Sequence, residues 1–220
     1  MTPKALITGG AGDLAQQIRI ELLSAGWEVL SPGREELDVS DASSVKAYFG
    51  QIDRLDLLIN NAGLFIDKPF VSMKEEDFTQ VLDVCLRGAF LCSQAAIKLM
   101  SQQREGHIIH IGSFSALTGP VGQSNYAAAK AGIIALSQSI ALEYGSWNVR
   151  SNCVLPGFLD TKMTRHLLSD SVFRDQLLAR HALGRISTVA DAARMIVFLH
   201  SMSHVSGQVF QLDSRISPWE

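Results

Sequence analysis

Short apolar runs alternate along the chain with longer stretches of helical spacing. Ala5-Leu6-Ile7 is brief and apolar at every position, the pattern of a strand buried on both faces. From Leu14 to Ala25 the spacing changes, and Leu14, Ile18 and Leu22 fall on one helical face. The alternation then repeats. Strands are predicted at Trp27–Leu30, Leu55–Asn60, His107–Gly112, Val149–Leu155 and Gln208–Leu212. Helices are predicted over Phe78–Met100, over the alanine-rich Asn125–Tyr144 and over Thr188–Leu199. Strand–helix alternation of this kind predicts a parallel sheet covered by helices on both faces, wound in the right-handed sense. Two segments break the rhythm. Ser31–Ser40 leaves no room for a full helix before Leu37-Asp38-Val39. Pro156–Arg185 is irregular, and 158–185 is the expected substrate lid.

Composition narrows the class. Hydrophobic residues make up 47% and charged residues 19% of 220 residues, which excludes a disordered chain and suffices for a large core. The formal net charge of −3 has no basic run behind it, so neither a nucleic-acid surface nor a polybasic membrane patch is expected. No apolar stretch approaches the roughly 20 residues of a membrane span, and the N-terminus enters a strand without a leader pattern. Cys85, Cys92 and Cys153 have no paired spacing, so no disulfide framework or zinc site is expected. Together these predict a soluble cytoplasmic protein.

The chemistry concentrates at the strand ends. Thr8-Gly9-Gly10-Ala11-Gly12-Asp13-Leu14-Ala15 joins the first strand to the first helix, where glycines and helix N–H groups suit a pyrophosphate. The second strand runs into Ser31-Pro32-Gly33-Arg34 with no acid at its tip. Arg34 near that tip favours NADP(H) over NAD(H), although Glu35 and Glu36 follow it. Tyr126 and Lys130 lie one helical turn apart on one face. An ammonium at that distance favours the ionised form of a phenol and suits it to proton transfer. His200 and His204 have the same spacing but no third ligand, and a helix end is the simpler reading.

Ser113 followed by Tyr126-Ala127-Ala128-Ala129-Lys130 resembles the active site of the short-chain dehydrogenases/reductases. The glycine turn, Asp38-Val39, Asn60-Asn61-Ala62-Gly63, Asn152, Pro156-Gly157 and Thr161 extend the likeness over nearly the whole chain. Gly122–Gly132 and Pro156–Met163 look most like the 3-oxoacyl thioester reductases. The resemblance implies a Rossmann-like domain over 1–220, with a mainly parallel seven-stranded sheet and no metal. It implies Ser113, Tyr126 and Lys130 as catalytic residues. Around the cofactor it implies Gly9, Gly12, Asp13 and Leu14 at the phosphates, and Arg34, Asp38 and Val39 at the adenosine. Asn60, Ala62 and Gly63 follow along the cleft, with Tyr126 and Lys130 at the ribose. Pro156, Gly157, Phe158 and Thr161 close over the nicotinamide. Phe114, Leu117, Gln123, Phe158 and Met163 are candidates for the substrate pocket. The expected reaction is reduction of a ketone, a 3-oxoacyl thioester on acyl carrier protein or coenzyme A, by a homo-oligomer (tetramer or dimer). A dehydrogenase of another small or aromatic alcohol and a catalytically weakened scaffold subunit are the alternatives.

Four features depart from the family pattern. Asp13 and Ala15 replace glycines of the turn, and Asp13 either brings a negative charge near a phosphate or caps the first helix. Cys85 stands where the family has an asparagine that holds a water near the lysine. Arg104 falls on one of two basic positions expected at the cleft mouth for a carrier protein, whereas Trp147 falls on the other. Asp213-Ser214-Arg215 replaces an Asp-Gly-Gly near an expected subunit interface.

Overall fold

A computed structural model describes residues 1–215. Six parallel strands form one sheet: β1 (Lys4–Ile7), β2 (Glu28–Leu30), β3 (Leu57–Asn60), β4 (Gly106–Ile111), β5 (Val149–Leu155) and β6 (Val209–Gln211). Their order is β2-β1-β3-β4-β5-β6. The direction of winding reverses between β1 and β3, so the crevice beyond the carboxyl ends of these two strands is the natural ligand site.

The layers follow from side-chain parity. In β1, Ala5 and Ile7 point to one face and Leu6 to the other. In β3, Leu57 and Ile59 oppose Leu58, and in β4 Ile109 and Ile111 oppose Ile108. The first face is covered by α1 (Asp13–Ser24), through Leu14, Ile18 and Leu22, and by α9 (Val189–Ser201), through Ile196 and Leu199. On the other face lie α2 (Ala42–Phe49), the α3 (Glu75–Leu82) and α4 (Gly88–Gln103) pair, and α6 (Ser124–Tyr144). A π-helical turn at Asp83–Arg87 joins α3 to α4, so the predicted Phe78–Met100 helix is interrupted. The single turns α5 (Ser115–Thr118) and α7 (Arg165–Leu168), with α8 (Ser171–Ala179), complete the molecule near the carboxyl edge.

The sheet has six strands among the described residues, where seven were expected. A crossover to another parallel strand takes roughly ten residues or more. Ser31–Glu36 is too short for that, and Leu37-Asp38-Val39 stays outside the ladder. Leu37 and Val39 still bury their side chains, at 3% and 5% exposure, against the α2–α4 face. β2 thus becomes the edge of the sheet.

This short excursion presses on the glycine turn. Gly10 N–H donates to the Pro32 carbonyl at 2.8 Å. A Cβ at Gly10 would lie 2.1 Å from the Ser31 carbonyl oxygen, an atom of the backbone that cannot turn away. Gly10→Ala is therefore expected to cost about 2–3 kcal/mol, near the upper range for overpacking. Gly33→Ala, with nothing within 4 Å of its Cβ, should change stability by under about 0.5 kcal/mol. Urea denaturation of the two variants checks this, and equal midpoints would refute it.

Between the layers runs a buried polar seam. Asn152 Nδ2 donates to the Val205 carbonyl and meets His107 Nε2, both at 2.9 Å, while its Oδ1 accepts from Gln208 N. Asn152 thereby ties β5 to the segment entering β6. His110 Nδ1 meets Asn60 Nδ2 at 3.3 Å, and the same amide donates to Ser93 Oγ at 2.9 Å. His200 packs edge-on against Trp27. His204 falls after α9 has ended, so the four-residue spacing is not a helical pair.

Candidate active site

The catalytic candidates converge because β4 and α6 bring them together. Ser113 follows β4 at its carboxyl end, and Tyr126 and Lys130 lie in the first turns of α6. Asn125 fixes the start of that helix. It is fully buried, its amide donates to the carbonyls of Ile66 and Asp77, and its Oδ1 accepts the Tyr126 N–H at 2.7 Å. Ser113 Oγ accepts the Ser115 N–H at 3.1 Å, which leaves its own proton to be donated elsewhere.

Lys130 is 3% exposed, and its ammonium donates to the Ile111 carbonyl at 2.7 Å. The same Nζ lies 5.5 Å from the centre of the Tyr126 ring. Burial works against its charge. The negative charge of Tyr126, with that of Cys85 and Cys153, in their ionised forms more than offsets this and holds the pKa above the usual lysine value. Lys130 therefore stays an ammonium in a dry site, where its field on the phenol is weakly screened.

Cys85 lies in the π-helical turn, 2% exposed. Its Sγ accepts the Leu64 N–H at 3.4 Å, and its S–H is directed at the Leu64 carbonyl at 3.2 Å. A thiol is a weak donor and a weak acceptor. Here it uses both capacities on one residue, so it clamps the strand end beside Gly63 as well as filling space.

One cavity of about 600 Å³ joins the glycine turn to these groups. Gly9 lines it with φ of 66°, and a Cβ there would lie 2.9 Å from Ala62 Cα. That close approach is fixed by Thr8, whose Oγ1 accepts from both Asn61 N and Ala62 N at 3.0 Å. Gly12, Asp13, Leu14, Ala62 and Gly63 continue the wall, and Arg34, Asp38 and Val39 close its far end. Arg34 Nε lies 3.2 Å from Asp38 Oδ2. The Ser40 hydroxyl, assisted by its N–H and by Arg34, keeps the Asp38 carboxyl below the usual carboxylate range. Pro156, Gly157, Phe158 and Thr161 form the opposite rim, and Ser113, Tyr126 and Lys130 the inner end.

Several expected site residues lie elsewhere. Asn60 is buried beneath the cleft with its amide turned to Ser93 and His110. Asn61 lines the cavity in its place, and its amide donates to the Thr8 and Gly9 carbonyls. The signal was parity: Asn60 shares its side of β3 with Leu58 and so faces α4. Phe114 and Leu117 do not line the cavity, whereas Gln123, Phe158 and Met163 do. The Arg215 guanidinium lies 3.9 Å over the Phe114 ring, and its Nε donates to buried Asp213 at 2.6 Å. The acid that Arg215 meets is thus in its own chain. Arg104 ends α4 just before β4, and Trp147 lies just before β5, at the amino edge of the sheet and away from the cleft. The Arg104 guanidinium stacks on Trp147, 5.5 Å from the ring centre, and donates to the Ser146 carbonyl. Asp13 does not cap α1, whose N-cap is Gly12.

Among the described residues no helix is long and apolar enough to cross a membrane. A family model described as enoyl-(acyl carrier protein) reductase matches residues 11–214. A 3-oxoacyl-[acyl-carrier-protein] reductase of Thermotoga maritima is 37% identical over 92% of this chain and 85% of its own length. The enzyme of that name from Staphylococcus aureus is 33% identical over 97% of both chains. An oxidoreductase of the short-chain dehydrogenase/reductase family from Burkholderia thailandensis superposes with a TM-score of 0.90 at 26% identity. It covers 97% of this chain and 92% of its own. With the parallel sheet and its cleft beyond the switch point, these likenesses make the chain a member of the short-chain dehydrogenase/reductase family, an oxidoreductase.

Proposed function

We propose that the protein is an NADPH-dependent reductase of 3-oxoacyl thioesters. The observation that carries this reading is the convergence of two hydroxyls and a buried ammonium on one end of a dinucleotide-sized cavity. The cradle fits such a cofactor. Gly9 and Gly10 pack where a Cβ would collide with neighbouring backbone, and α1 begins at the cavity wall with no side-chain cap over its N–H groups. Gly12, Asp13 and Leu14 would hold the pyrophosphate, Arg34 the 2′-phosphate, and Asp38 and Val39 the adenosine. Ala62 and Gly63 would flank the ribose held by Tyr126 and Lys130, with Pro156, Gly157, Phe158 and Thr161 against the nicotinamide. When bound, the cofactor supplies the hydride.

The chain's own residues supply the proton and the oxygen site. Tyr126 donates its phenolic proton to the carbonyl oxygen as that oxygen gains charge, and Lys130 stabilises the phenolate left behind. Ser113 donates a hydrogen bond to the same oxygen, oriented by the N–H it accepts from Ser115. Two hydroxyl donors for one oxygen suit a carbonyl oxygen on which negative charge develops. Leu64, Phe158, Leu159, Met163 and Leu167 line the outer cavity and suit an acyl chain. The names of the similar reductases support acyl carrier protein as the carrier, and coenzyme A presents the same thioester. We include in the proposal that 1–220 is one domain and that copies associate. Phe78, Leu86 and Phe90 line an open apolar hollow on the α3–α4 side, which suits a second copy. A reducing, cytoplasmic setting accords with three cysteines that are free and buried.

The test is consumption of NADPH and of NADH with a short 3-oxoacyl thioester. Turnover should be faster with NADPH. Binding of NADPH without consumption would remove the thioester assignment and leave a wider ketone panel, or a nucleotide-binding scaffold, to be decided.

A further inference from the structure

Asp13 stands in the first turn of α1, where the family pattern has glycine. A carboxylate placed there adds negative charge beside the proposed pyrophosphate position, yet it does not cap its own helix. It reaches across the cleft. Asp13 Oδ2 accepts the backbone N–H of Lys162 at 2.5 Å, and Lys162 Nζ lies 3.9 Å from Oδ1. These residues are 149 apart in sequence, so the contact ties the glycine turn to the base of the lid.

The lid segment it holds is a built turn. Thr161 N donates to Thr164 Oγ1 at 3.1 Å, Thr164 Oγ1 also bonds the Leu159 carbonyl, and Arg165 N donates to the Thr161 carbonyl at 2.8 Å. One bond to Lys162 therefore places the turn as a unit. Both partners line the cavity. The Lys162 side chain is 81% exposed, against 26% for Asp13, so the ammonium stands at the rim in water while the carboxylate is partly enclosed.

We propose that Asp13 is a positioning residue for the cofactor, latching the Leu159–Thr164 turn over the start of α1 and holding Lys162 where its ammonium meets the pyrophosphate. The second half rests on the dinucleotide reading of the cleft; the latch itself does not. Lys162 offsets the charge that Asp13 brings to the phosphate position, and the main-chain bond makes lid placement and cofactor capture share one residue.

Two measurements separate these parts. Hydrogen exchange of residues 159–168, without cofactor, reads the latch. Asp13→Ala should speed exchange there about tenfold, the loss of one charge-assisted hydrogen bond. Asp13→Asn keeps an acceptor oxygen and should restore most of the protection. NADPH affinity reads the ammonium. Lys162→Met keeps the main-chain bond and should weaken binding about fivefold with lid exchange unchanged. Unchanged exchange in Asp13→Ala overturns the latch, and unchanged affinity in Lys162→Met overturns the phosphate role. If the wild-type chain binds no dinucleotide while the exchange difference persists, the cofactor reading and the phosphate role fail and the latch stands.

Discussion

Tyr126→Phe is expected to lower kcat for ketone reduction about 1,000-fold, or about 4 kcal/mol at the transition state. The substitution removes one oxygen and its proton and leaves the rest of the site in place. The Asn125 Oδ1 bond that fixes the start of α6 goes to the Tyr126 backbone N–H, so it survives. The ring keeps its edge-on contact with Phe65, at 6.2 Å between centres. Lys130 keeps its bond to the Ile111 carbonyl. Cofactor affinity should fall by no more than about fivefold, the share of the proposed phenol–ribose hydrogen bond, because the larger loss falls on an interaction made in the transition state. Single-turnover kinetics beside equilibrium titration of NADPH separates the two quantities. Retention of a tenth or more of the wild-type kcat would mean that another group delivers the proton.

Acid should unfold this protein at a pH where its carboxylates are still ionised. His107 and His110 are fully buried. Burial, with help from Arg150, His200 and His110, pushes the His107 pKa well below the usual imidazole value. Burial and the Lys130 charge push His110 down to about 3. His200, partly buried beside Arg150, is lowered to about 4. In the unfolded chain each imidazole takes up a proton near pH 6.5. Below that pH the unfolded state binds protons that the fold refuses, so stability is full above pH 6.5 and falls as acid is added. His107 and His110 together set a slope approaching about 3 kcal/mol per pH unit by pH 5, and His200, still mostly neutral in the fold at that pH, adds nearly as much as either one. Urea midpoints at pH 7.5, 6 and 5 should drop steeply. Histidine ring signals at pH 5 should remain neutral for the buried pair. A flat stability between pH 6.5 and 5 would show that these rings charge within the fold.

Each of the six strands corresponds to a short, mainly apolar run, as a parallel sheet covered on both faces favours, although β5 carries Arg150, Ser151 and Asn152 and β4 carries His107 and His110. The expected seventh strand has no run of its own, and Ser31–Glu36 was short enough to signal its loss. α2 escaped notice although Asp41 caps it by accepting from Ser43 N, and α8 likewise although Asp170 accepts from Val172 N and Phe173 N. Both are short helices with few buried residues, so their apolar period is faint. At the candidate site, Tyr126 and Lys130 could be paired from local spacing, whereas Ser113 was named through the family resemblance. The exchange of Asn60 for Asn61 was open to a parity count along β3. The Asp13–Lys162 contact and the stacking of Arg215 on Phe114 were not readable, since each joins residues whose distance only the folded chain sets.

The missing strand also changes what the sheet offers to other chains. An edge strand exposes a row of N–H and C=O groups to which foreign strands can add. Here the edge left by the shortened excursion is β2, three residues long, with Pro32 soon after it. Glu28 in that edge is drawn to Lys4, which also holds Asp53. β6 at the opposite edge is three residues long as well. Neither side gives a docking strand a ladder of useful length, so a sheet with open ends is guarded against end-on aggregation by the brevity of its outermost strands.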